Sequence, residues 1–164
     1  MQRVIDLHRD LTSGEVGAAR SRFTALMWKA GEKAEGENLC HRFTWSEIRS
    51  PVLTDKHVVE RGVLGTYDRL PGIPDGEHAE PMRDLYSVLW CFERIEAGRL
   101  GHALDSEMLG QLVAHHAVWW NELTGNLGAD NDLPTIHLGS LRSLAKALRT
   151  PKLEDWARDD FGSR

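Results

Sequence analysis

Cysteine is scarce: Cys40 and Cys91, far apart and without a partner motif, are all that 164 residues contain. That excludes a disulfide scaffold and matches free thiols in a reducing compartment. Long hydrophobic runs are missing, since no apolar stretch approaches the roughly 18 to 20 residues that a membrane span needs. The N-terminus, MQRVIDLHRDL, also lacks the apolar stretch of a secretory signal. A cytoplasmic location is therefore expected, with no membrane partner. Nor is there an excess of positive charge: 20 Lys plus Arg face 25 Asp plus Glu, for a formal net charge of -5. A general attraction to nucleic acid is not expected from that balance.

Cofactor and catalytic signatures are absent as well. No two glycines stand two residues apart, so a dinucleotide fingerprint cannot occur. The only glycine pair with P-loop spacing, Gly31 and Gly36, is followed by Glu37, which would repel phosphate where Lys is needed. His8, Arg9 and Asp10 spell HRD, but a kinase loop needs Asn where Glu15 stands. There is no nucleophile elbow. The eight histidines include no pair three or four apart, and no Glu precedes a His by three, so helical metal-ligand spacing is missing. No metal and no cofactor is expected.

What the chain does have is a globular composition, 41% hydrophobic and 27% charged, and a length that fits one domain. Apolar residues recur at helical spacing and nowhere alternate strictly, so the fold class is all-α. Val4, Leu7, His8 and Leu11 form a first stripe. Ser13 then reads as the N-cap of a helix carrying Val16, Ala19, Phe23, Leu26 and Met27, fraying around Gly31 to Gly36. Thr44 and Glu47 have capping-box spacing, and Val59, Val63, Tyr67 and Leu70 share a later face. The segment from Leu70 to Pro81 is a loop rich in proline and glycine that separates two groups of helices within the one domain, 1–164.

Pro81 opens a helix expected to run to Ala97 and stop at Gly98, apolar around most of its circumference and so the most buried. Asp105 or Ser106 caps the next, with Leu109, Leu112, Val113, His116, Trp120 and Leu123 on its main face. After a polar loop, Leu138, Leu141, Leu144, Ala145 and Leu148 define another helix. Thr150 and Pro151 open a last one with Leu153 and Trp156 facing inward. The expectation is a helical bundle of about five to seven helices around two central antiparallel ones, Pro81 to Ala97 and Ser106 to Thr124.

Three groups of residues invite a functional reading. His115 with Trp119 and Glu122, joined by Glu93 and Arg94 from the CFERIE segment, would line a pocket that handles a proton or a polar ligand between indole walls. The same residues equally make a buried aromatic seam and an internal ion pair. Six tryptophans are more than one small core comfortably hides, so Trp119, Trp120 and Trp156 are candidates for an interface. Arg142, Lys146 and Arg149 recur at helical spacing and could follow a phosphate backbone, although such a stripe also serves as a solvated face.

The stretch DLYSVLWCFERIEAG followed by HHAVWWNEL, within Asp84 to Leu123, resembles small uncharacterised all-helical bacterial proteins in which an LxxFER helix precedes a paired-Trp helix. It covers about a quarter of the chain. The resemblance implies an all-helical fold and no activity. Because catalytic motifs are missing and six tryptophans exceed what a small core hides, the leading expectation is a non-enzymatic accessory or interaction protein, a homodimer in its simplest form. The alternatives are a small-molecule binding protein or enzyme at the His115 pocket, and a nucleic-acid regulator using Arg142, Lys146 and Arg149.

Overall fold

The computed structural model describes residues 2–35, Cys40, Arg42, Thr44, 81–127 and 135–161, with side chains over 2–25, 82–127 and 137–161 besides those three single residues. Among these residues the chain is all helical and contains no strand. The helices are α1 (Gln2–Thr12), α2 (Gly14–Glu35), α3 (Pro81–Leu100), α4 (Ser106–Leu112), α5 (Ala114–Leu123), α6 (Thr135–Leu148) and α7 (Pro151–Asp159). The capping box from Thr44 to Glu47, the helix with Val59 to Leu70, most of the loop that follows it, and the side chains of Trp28 and Trp45 lie outside the described residues. None of the described helices is long and apolar enough to cross a membrane.

Helix α3 is the hub. It lies against α6 and α2 and also touches α1, while α5 packs on α6 and α7. Its inner face is legible in the sequence: Leu85, Val88, Leu89, Phe92 and Ile95 follow the helical period, and all are buried. Burying each such side chain contributes about 1.5 to 3 kcal/mol. The period leaves Trp90 on the outer face, 53% exposed, although the apolar composition of the segment points to all-round burial. In α6, Leu138, Leu141, Leu144 and Ala145 are buried, in keeping with their spacing.

Three helix ends differ from expectation, each for a local reason. The Ser13 hydroxyl does not cap α2; it donates to the Arg9 carbonyl at 2.7 Å and closes α1. Gly14 then reverses the chain at φ 63°. Gly17 lets the two helices meet, since a Cβ there would fall 2.6 Å from the Thr12 carbonyl carbon. Gly98 does not stop α3 but lies inside it, at the place where Leu104 folds back; a Cβ would fall 2.8 Å from Leu104 Cδ1. The helix expected over Ser106 to Thr124 is interrupted at Val113 (φ -112°, ψ -27°), which divides α4 from α5. Asp105 caps α4, accepting from the Met108 amide at 2.9 Å, and Thr150 caps α7 ahead of Pro151.

The end of α3 carries a testable strain. The Ala103 amide bonds the Gly98 carbonyl (2.9 Å) and the His102 amide bonds that of Arg99 (3.0 Å), a Schellman pattern that puts His102 in the left-handed position at φ 52°. Glycine normally fills this place, because a side chain there is strained. His102→Gly is expected to stabilise the protein by roughly 0.5 to 1 kcal/mol, the relief being partly offset by a more flexible unfolded chain. A melting curve that moves down instead of up would contradict this.

Candidate functional site

The tight α1–α2 corner brings His8 of α1 beside Arg20 of α2, and both meet the start of α5. There Arg20 Nη1 stands 3.1 Å from His116 Nδ1. A guanidinium only donates, so His116 Nδ1 accepts and its ring proton sits on Nε2. The His116 ring centroid lies 3.9 Å from that of His115 and 5.7 Å from that of His8. Trp156 of α7 stands edge-on to His115 at 6.4 Å and is 44% exposed, the reverse of the inward orientation that its spacing predicts.

Electrostatics follow from this crowding. Burial, then His115, Arg20 and His8, push His116 down to about 3. Burial, His8 and Arg20 lower His115, and burial with Arg20 lowers His8. All three imidazoles are held towards the neutral form. Among the described residues, no group of three His, Cys, Asp or Glu side chains is arranged to hold a metal ion, this cluster included.

The residues expected to share one pocket are divided among separate contacts. His115 belongs to the cluster above. Trp119 is buried, its Nε1 donating to Asp160 Oδ2 at 2.6 Å while its ring packs 5.2 Å from Phe161. Glu122 receives Arg42 Nη2 at 3.3 Å, and the same guanidinium bonds the Phe161 carbonyl and covers the Phe161 ring at 4.6 Å. Together with the Cys40 amide on the Asp160 carbonyl (2.7 Å), this clamp ties Cys40 and Arg42 to α5 and to the segment after α7. Trp120 is also buried, stacked 5.6 Å from Phe23. Of Trp119, Trp120 and Trp156, only Trp156 is exposed.

Glu93 and Arg94 lie on the outer side of α3. Glu93 bonds His137 Nδ1 of α6, whose ring sits edge-on to Tyr86 at 6.0 Å. Both partners are about a third exposed, and no described hydroxyl or thiol bonds the remaining imidazole nitrogen, so the pair acts as a clasp between α3 and α6. In this part of the helix the deeply buried charge is Glu96, not Glu93. It is 2% exposed and accepts from Arg99 (2.6 and 2.7 Å) and Ser143 (2.5 Å). Burial pushes Glu96 up, but those hydrogen bonds outweigh it and its carboxyl ends below the usual range. Burial likewise raises the Cys91 thiol to about 11 against the pull of Arg94, which keeps it protonated and inert.

Arg94 leads to the last feature. Its guanidinium lies over the Trp90 ring at 5.0 Å and pairs with Asp10 of α1 at 3.5 Å. From there a groove of about 400 Å³ runs between α1 and α3, with Arg3, Asp6, Asp10, Arg94 and Ala97 around the buried Leu7. On α6, Arg142 and Lys146 are exposed without an ion pair among the described residues, and Arg149 pairs with Glu154 at 3.3 Å. Sequence reasoning misses His8, Arg20 and His137 as site residues; the one signal is a histidine inside the apolar stripe of Val4, Leu7 and Leu11. No protein-family model matches the chain, and neither does any curated protein or solved structure.

Proposed function

We propose that this chain is a non-enzymatic accessory protein that acts by pairing with a second copy of itself through the α1–α3 face. One observation carries the reading: Trp90 is 53% exposed on the helix that otherwise supplies the centre of the core. Arg94 stacked on it adds the other residue type that dominates protein interfaces. The rim beside them mixes two arginines, Arg3 and Arg94, with two aspartates, Asp6 and Asp10. A patch carrying both signs can meet its own copy about a two-fold axis that sets arginines of one against aspartates of the other. The two cysteines, buried and free, are compatible with work in the cytoplasm.

Light scattering behind size exclusion, across a concentration series, tests the proposal. Dimer should accumulate with concentration while iodide quenching of tryptophan fluorescence declines. Trp90→Ala should weaken the association about 30-fold or more, the effect of removing a central interface tryptophan. A chain that stays monomeric at every concentration, with quenching unchanged, would overturn the reading.

A further inference from the structure

We propose that His8, Arg20, His115 and His116 form a binding site for a phosphate-type oxyanion beside Trp156, where α1, α2, α5 and α7 meet. Among the described side chains, four arginines are buried or half-buried: Arg20, Arg22, Arg42 and Arg99. Three of them meet a carboxylate, Arg22 on Asp84, Arg42 on Glu122 and Arg99 on Glu96. Arg20 alone meets an imidazole, through Nη1, and no described carboxylate pairs with it. A guanidinium has five donor hydrogens in a planar fork, and one contact to His116 leaves most of them for another acceptor.

The surroundings point to the same missing partner. Among the described residues, the charged and titratable groups acting on the three rings are His8 from α1, Arg20 from α2 and each other from α5, and none is an acid. The described side chain that α7 brings to the rings is the neutral indole of Trp156. A cationic fork and three imidazoles gathered with no counter-ion among the described residues make an environment that an anion would relieve. His8 and His115 are half-buried and Trp156 is half in solvent, so the cluster has an open side. A phosphate group brings about -1.5 to -2 charges and three acceptor oxygens, enough to engage Arg20 and two imidazolium donors together. A monocarboxylate brings one charge and matches the cluster less well.

Binding and protonation must then be linked: if the anion favours protonated His8 and His115, it raises their pKa values by the amount that protonation strengthens binding. Histidine ring-proton NMR on the full chain reads this directly. With inorganic phosphate replacing chloride at constant ionic strength, His8 and His115 should titrate about one unit higher, a tenfold linkage. Phosphoserine as a second probe separates a monoester site, where it shifts the rings more than inorganic phosphate does, from a site for the free ion, where it shifts them less. Arg20→Gln should abolish the shift with the helical circular-dichroism signal retained. Should that variant not fold, His115→Asn, altered at the half-buried rim, should abolish the shift at His8.

Three results would overturn the proposal: titrations that superimpose in phosphate and chloride, a shift that survives Arg20→Gln, or an equal shift in acetate, which would mark an unselective cationic patch.

Discussion

Asp84→Ala is expected to destabilise the fold by about 3 to 5 kcal/mol, the cost of taking from a buried cation a carboxylate that grips it twice. Asp84 stands in the first turn of α3 and holds Arg22 of α2 in a two-pronged contact, Nε to Oδ2 at 2.8 Å and Nη2 to Oδ1 at 2.5 Å. Their side chains are 11% and 7% exposed, so water cannot replace the lost carboxylate. A domain of this size is stable by only about 5 to 15 kcal/mol, and the substitution removes a large part of that margin. Urea unfolding followed by tryptophan fluorescence would measure it. The paired change Arg22→Met with Asp84→Leu separates charge from packing: it removes both ions and should recover part of the loss, because a buried pair holds little net stability over an apolar replacement. A single variant losing under about 1 kcal/mol would show the pair to be effectively solvated.

That ion pair illustrates where the sequence is readable and where it is not. Periodicity assigns a residue to a face, so the buried line from Leu85 to Ile95 and the α6 line from Leu138 to Ala145 are legible from their spacing alone. It does not say which face meets which. Arg20 and His116 are 96 positions apart, and Arg42 and Glu122 are 80 apart. Nothing local in either segment encodes such a meeting. Composition also misleads on a helix that is apolar all round: Trp90 reads as no less interior than Phe92, although the helical period sets it on the outer face. Glycine is ambiguous in the same way. At Gly98 it reads as a helix stop, yet its role is to admit Leu104. Helical spacing and a shared apolar setting group His115, Trp119, Glu122 and Glu93 into one pocket, whereas Asp160, Arg42 and His137 claim three of them separately.

The histidine cluster should make stability depend on pH in a direction opposite to a salt-bridged histidine, and His116→Asn should reverse the order of stability between acid and neutral solution. Burial and its cationic neighbours hold His116 near 3 in the folded chain, against about 6.5 when unfolded. Above pH 6.5 neither state binds the proton and the residue is neutral in its effect. Between 6.5 and about 3 the unfolded chain takes up the proton and the folded chain does not, so stability falls as pH falls. His115 and His8, also lowered, add to the loss in the upper part of that window. Because His116 is partly exposed, about 2 to 3 kcal/mol is a fair magnitude after solvent screening. Asparagine keeps an acceptor, Oδ1, where Nδ1 receives Arg20, but cannot be protonated. In phosphate-free buffer the variant should therefore match or fall slightly below the parent at pH 7.5 and exceed it at pH 4.5. Parallel stability curves across that range would mean that the imidazole protonates freely in the folded state, and that the arginine beside it is too well solvated to oppose the charge.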